Sequence, residues 1–161
     1  MLIGVISDTH GLLRPEALTA LRGVDHILHA GDVGDPAILD ALRAIAPVTA
    51  IRGNIDVSGA CARLPATELV ELGGHSIYML HNLSQLDLDP KAAGISVVVS
   101  GHSHQSRIDR HKGVLYFNPG SAGPRRFSLP VSLGLLEITA SQIAPRLTDL
   151  LATGDASANP H

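Results

Sequence analysis

Aromatic residues are nearly absent from this chain: two tyrosines, two phenylalanines and no tryptophan in 161 positions. A core must be built from Ala, Val, Ile and Leu, within an apolar share of 45%. Cysteine is almost absent too. Cys61 stands alone, which excludes a disulfide within the chain and fits a reducing compartment. No stretch approaches the roughly 18 apolar residues of a membrane span. Met1–Asp8 lacks a basic segment, and its apolar run is too short for a signal peptide. Twelve Lys and Arg against fifteen Asp and Glu leave a formal charge of −3. The basic residues are scattered, so stable nucleic-acid binding is not expected. A cytoplasmic protein without membrane association follows as the expectation. Self-association into a homo-oligomer is compatible with the composition.

The length suits one domain with a sizeable core. Leu2–Ile6 reads as a first strand. Pro15 then stands at the first position of a helix that ends by Gly23. His26–Ala30 is a second strand. Asp35-Pro36 starts a helix that runs to about Ala46, and Val48–Ile51 is a third strand. This βαβαβ opening implies parallel strands. Later segments are mostly β. Glu68–Leu72 and Ser76–Leu80 flank the hairpin signal Gly73-Gly74. Ile95–Val99 is a buried strand, Ser106–Arg110 and Val114–Phe117 form a second hairpin, and Val131–Ile138 pairs with Ile143–Thr148. A short helix is expected near Asp89–Ala93. Two mixed sheets packed face to face with helices outside accommodate this order. From Ala152 the chain is small and polar; residues 149–161 are read as a disordered tail.

Most ligand-type residues fall just past the end of an apolar run, where open α/β sheets place their sites. Asp8 and His10 are two apart, a spacing that puts both on one side of an extended segment. Asp32 follows Gly31, and each could equally form a turn. Asn54 follows Gly53 with the same ambiguity. His81 follows Ser76–Leu80 and reads as readily structural as ligating. Gly101-His102-Ser103-His104, directly after Ser96–Val99, is hard to explain as core. Together these offer two carboxylates, one amide oxygen and four imidazoles. Such a set can hold two divalent ions about 3.5–4 Å apart. The mixture suits Mn, Fe, Zn, Co or Ni better than Ca, and the lack of thiolates argues against structural zinc. Asp56 reads as a capping residue. His26, His29, His75, His111 and His161 lie outside the motifs and read as surface or structural histidines.

The ordered set Asp-x-His, Gly-Asp, Gly-Asn, His, Gly-His-x-His resembles the calcineurin-like metallophosphoesterase superfamily. Asn118-Pro119-Gly120-Ser121 with Pro124-Arg125 is similar to its small bacterial and archaeal phosphodiesterase branch. The resemblance spans residues 1–148 and implies a four-layer αββα sandwich with a dinuclear site. It assigns Asp8, His10, Asp32 and His104 to one ion, and Asp32, Asn54, His81 and His102 to the other. Asp32 would bridge them. The implied reaction is hydrolysis of a small phosphodiester by a hydroxide bridging two ions, with Mn the expected metal. The alternatives are a non-catalytic scaffold, like the retromer subunit of this superfamily, and a phosphomonoesterase. Arg125 is the candidate substrate contact; Arg52 and Arg126 are further cations that could meet a phosphate. Many relatives carry a proton-donating His after the Asn, where this chain has Ile55. His29, His75 and His111 are the unplaced candidates for that proton. Many relatives also have Gly-His where this chain has Asn82-Leu83.

Overall fold

The computed structural model describes residues 1–151. The expectation for the tail beyond Leu151 lies outside the described residues. The first sheet contains β1 (Leu2–Ile6), β2 (His26–His29), β3 (Val48–Ala50), β9 (Ser132–Ile138) and β10 (Ile143–Asp149), in the order β10-β9-β1-β2-β3. The second contains β4 (Thr67–Leu72), β5 (His75–Leu80), β6 (Ile95–Val99), β7 (Arg107–His111) and β8 (Val114–Asn118), in the order β4-β5-β6-β8-β7. β1, β2 and β3 run parallel, as do β5, β6 and β8, while the other pairs are antiparallel.

The sheets face each other across Ile3, Val5, Leu28, Met79, Val97, Val99, Phe117 and Leu136, all buried. The alternation is that of a strand: Ile3 and Val5 face the second sheet, and Ile6 faces the helices. Each fully buried aliphatic side chain of this kind contributes roughly 1.5–3 kcal/mol. On the outer face of the first sheet lie α1 (Pro15–Ala20), α2 (Pro36–Arg43) and the short α3 (Gly59–Ala62). Ala17, Leu39, Leu42 and Cys61 seal this layer. Asp35 caps α2 by accepting from the Ala37 amide at 2.9 Å, with Pro36 at the first position.

The fourth layer is thinner than a helix. Leu83, Leu86 and Leu88, from the segment around a 3₁₀ turn at Leu83–Gln85, cover Leu80, Val98 and Val114. The helix expected near Asp89–Ala93 is a turn. Asp89 accepts from the Lys91 amide and from Ala93, and Ile95 then begins β6. That single capped turn closes at Gly94, whose φ of +75° turns the chain into β6 before a helix can extend. At the other end, β10 runs through Asp149 and Leu150 is buried, so the ordered chain passes the boundary expected at Thr148. Among the described residues no helix is long and apolar enough to cross a membrane.

Candidate metal centre

Five parallel strands, three from one sheet and two from the other, end at the same edge of the sandwich. Asp8 and His10 follow β1, Asp32 follows β2, Asn54 follows β3, His81 follows β5, and His102 and His104 follow β6. The first two loops are zipped together by three backbone bonds: Asp8 to Gly31, His10 to Asp32 and Gly11 to Val33, at 2.9–3.0 Å. The Gly101 amide donates to the His81 carbonyl at 3.0 Å, joining the loops of the second sheet.

Asp8 Oδ1 lies 3.4 Å from His104 Nε2, 3.7 Å from His10 Nε2 and 3.8 Å from His81 Nε2. Asp32 Oδ2 lies 3.3 Å from His10 Nε2 and 3.2 Å from His81 Nε2. Two groups result, each able to hold a cation: Asp8, His10 and His104, and Asp8, Asp32 and His81. His102 is exposed, with its ring 5.3 Å from that of His81. Asn54 is also exposed and shares a cavity wall with His81. All seven positions thus converge, five tightly and two at the rim.

The outward oxygens of both carboxylates are already engaged. Ser7 Oγ and the His102 amide donate to Asp8 Oδ2 at 2.6 and 3.1 Å. The Ile55 amide donates to Asp32 Oδ1 at 3.1 Å. One oxygen of each therefore faces the centre. His81 Nδ1 donates to the Ala30 carbonyl at 2.8 Å, which turns Nε2 inward. Among the described residues four buried atoms have no hydrogen-bond partner: Asp8 Oδ1, His10 Nε2, His81 Nε2 and His104 Nδ1. Leaving such groups unpaired costs on the order of 1–3 kcal/mol each. A divalent cation satisfies that chemistry, and the residues fit it.

Charge follows the same geometry. Burial raises the Asp8 carboxyl above its usual range, against the Ser7 bond and the neighbouring imidazoles. Burial also opposes ionisation of Asp32, but the close His81 imidazole and the bond from the Ile55 amide outweigh it and hold that carboxyl well below its usual range. Burial of His81 is outweighed by Asp32, the Ala30 carbonyl and Asp8, so its imidazole is raised. His104 is lowered, chiefly by burial and also by the Arg126 charge, against the pull of Asp8.

Backbone strain is concentrated here. Asp8, His10, Asp32, His102 and His104 all have φ between +46° and +72°. Non-glycine residues held there cost on the order of 1–3 kcal/mol each and collect at functional sites. The glycines beside the ligands allow close approach. A Cβ on Gly53 would stand 2.2 Å from Asp32 Oδ1, and one on Gly101 would stand 2.5 Å from Asp8 Oδ2. Gly-Asn and Gly-His are therefore motifs in which the glycine admits a neighbouring carboxylate.

Supporting residues are only partly visible in sequence. Asp56 is buried and accepts from the Val33, Gly34 and Gly53 amides at 3.1, 3.0 and 2.8 Å, tying the second loop to the third. His29 is fully buried. The Gly31 amide donates to its Nδ1, so Nε2–H donates to Thr9 Oγ1, which donates to the Val33 carbonyl. Burial lowers its pKa to about 4. His29 is thus a neutral brace, and no free proton is available from it. His75, at the start of β5, bonds Ser96 and the Thr139 carbonyl. His111 pairs with Val114 at the hairpin end of β7. Both stand at the edge opposite the site, so none of the three unplaced histidines reaches a leaving group.

Among the cations, Arg52 donates to the Leu64 carbonyl at 2.7 Å. Arg125 is exposed on the loop after Gly123, and its neighbour Arg126 is the one whose charge bears on His104.

Residues 1–141 match the family model of the calcineurin-like phosphoesterase superfamily domain. The chain is 40% identical over 134 residues to a probable metallophosphoesterase of Methanocaldococcus jannaschii, a match covering 75% of this chain and 68% of that protein. A solved archaeal phosphodiesterase superposes with a TM-score of 0.76 at 23% identity, over 92% of this chain and 100% of that one. Vps29 of Chaetomium thermophilum superposes with the same score at 20% identity, over 92% and 95% of the two chains. At these identities both structures speak for the sandwich fold. The family match and the Methanocaldococcus relative make this chain a member of the calcineurin-like phosphoesterase superfamily, a metal-dependent phosphoesterase.

Proposed function

We propose that the chain is a phosphodiesterase that works with two divalent ions, Mn²⁺ the most suitable. Asp8, His10, Asp32 and His104 would hold one ion; Asp32, Asn54, His81 and His102 would hold the other. The observation that carries this reading is three buried, unpartnered atoms, Asp8 Oδ1 with His10 Nε2 and His81 Nε2 within 3.8 Å of it, and His104 Nε2 3.4 Å from the same oxygen. Asp32 Oδ2 stands within 3.3 Å of one imidazole from each half, which supports a bridging role for it were both ions bound. The three-residue groupings share Asp8 rather than Asp32. Asp8 Oδ1 faces both halves as well, but two of its three imidazole neighbours, His10 and His104, belong to the first ion. When bound, such ions acidify water and neutralise phosphoryl oxygens.

The chain's own residues do the rest. Ser7 and the Ala30 carbonyl fix Asp8 and His81 in their inward poses. His29 and Asp56 brace the loops beneath. Ile55 is 43% exposed beside Asn54 and carries no proton to give. Departure of the leaving group therefore depends on its own acidity. The scaffold reading is weaker because the ligand-type residues, His10, His102 and His104 among them, are all present. The test pairs metal analysis with hydrolysis of bis(4-nitrophenyl) phosphate and 4-nitrophenyl phosphate. Diester turnover exceeding monoester turnover is expected; the reverse would favour a phosphomonoesterase.

A further inference from the structure

Among the described residues two cavities lie beside the site, of about 380 and 350 Å³. Both fall in the range of about 300–1,000 Å³ found for small-molecule pockets. The first is lined by His102 together with Asn82, Gln105, Arg107 and Tyr116. The second is lined by Asn54 and His81 together with Tyr78, Gln85 and Asp87. They adjoin across the His81–His102 ring pair, 5.3 Å apart. The wall between them is the 3₁₀ turn Leu83–Gln85: Asn82 and Leu83 face one cavity and Gln85 the other. Asn82 builds that wall, since its side chain accepts from both the Ser84 amide and the Ser84 hydroxyl. The Asn82-Leu83 departure noted in the sequence thus has a structural use.

The chain has two tyrosines in all, and one lines each cavity. Each is partly buried against the outer face of the second sheet, which holds it in place. A fixed phenol presents a flat apolar face and a polar edge, suited to a planar ring that also hydrogen-bonds. Asn82, Gln105 and Arg107 on one side, and Gln85 and Asp87 on the other, supply donors and acceptors. A phosphomonoester has one organic arm and would leave one cavity unfilled. A diester has two.

We infer that the substrate is a small phosphodiester with a planar, hydrogen-bonding group on each arm, of the dinucleotide class. One arm would rest by Tyr78 and the other by Tyr116, with the phosphate between Asn54, His81 and His102. This rests on the phosphodiesterase reading and adds to it the chemistry of both substituents. Contacts to the non-reacting arm raise turnover as well as affinity when they position the phosphate.

The experiment compares two diesters with one leaving group: thymidine 5′-(4-nitrophenyl) phosphate and methyl 4-nitrophenyl phosphate. Mn²⁺-loaded wild type should favour the thymidine ester by roughly tenfold or more in kcat/KM. Ala66→Trp or Thr67→Trp fills the second cavity; Ser106→Trp or Leu83→Trp fills the first. Each cavity has two variants so that a misfolded one can be set aside by circular dichroism and metal content. Blocking either cavity should lower turnover of the thymidine ester, and blocking one of them should leave the methyl ester nearly untouched. Equal efficiency on both esters, or blocks without effect, overturns the two-arm inference while the phosphodiesterase reading stands. If neither ester is hydrolysed, that reading falls. The cavities are then judged by calorimetric titration with diphenylphosphinate, a two-armed, non-hydrolysable probe. Its binding must weaken in both sets of variants and exceed that of one-armed phenylphosphonate, or the inference fails.

Discussion

Asp32 and His81, from loops of different sheets, meet with Oδ2 and Nε2 3.2 Å apart. Each shifts the other toward its charged form: the carboxyl is held low and the imidazole high. The contact joins the sheets at the point where the two proposed ions would adjoin. Asp32→Ala should therefore lower metal content at both positions, whereas His102→Ala should lower it mainly at one. Both variants should lose most hydrolysis of an activated phosphodiester. Elemental analysis and initial rates check this; wild-type values in either variant would remove that residue from the ligand set.

Asp56 should matter nearly as much without touching the site. Its carboxylate satisfies three amides from two loops. Asp56→Ala leaves them unpaired, and a loss of about 2–4 kcal/mol is expected in urea unfolding. Metal affinity should fall too, because Gly53-Asn54 loses its anchor. A variant with unchanged stability would contradict this bracing role.

The fold was legible where side-chain chemistry is local. The end of β1 with Asp8 and the end of β6 with His102 announce themselves, because an apolar run stops at polar ligand-type residues. Asp35-Pro36 announces α2 in the same way. Less legible was anything set by tertiary contact. Gly59–Ala62 forms α3 although Gly-Ala-Cys-Ala has no periodic apolar face to signal it. Asp89–Ala93 looks helical yet stops after one turn, where Gly94 at φ +75° leads straight into β6. His29 resembles the other unplaced histidines in sequence. Only the register of β2 against β1 and β3 shows that it is fully buried beneath the ligands. The unusual backbone angles of the ligands were not legible at all, since they are imposed by bonds between loops.

His29 also predicts a pH effect on stability. Its folded pKa of about 4 lies below the ordinary value of 6.5. Between those values the unfolded chain takes up a proton that the folded protein excludes, so this contribution is full above pH 6.5 and declines as the pH falls toward 4. At pH 4.5 wild type should have lost about 2–3 kcal/mol from this source. His29→Gln should lack that component, so the stability gap between the two proteins should narrow in acid. Urea midpoints in chelator at pH 7 and 4.5 measure it. An unchanged gap would mean that His29 takes up its proton without penalty in the folded protein.

Ile55 governs the leaving group. General acids typically contribute roughly 10²–10⁴-fold, most when the leaving group is poor. With Ile55 beside Asn54, rates should fall steeply as leaving-group acidity falls. Ile55→His should raise turnover of alkyl esters more than of aryl esters while metal content holds. A flat dependence in wild type would reveal another proton donor.

The most direct test is the metal content of the purified chain after Mn²⁺ loading and removal of free ion. Four unpartnered buried atoms and seven converging side chains predict close to two equivalents per chain, falling toward one in His102→Ala. A reproducible value near zero in the wild-type protein would contradict the account at its centre.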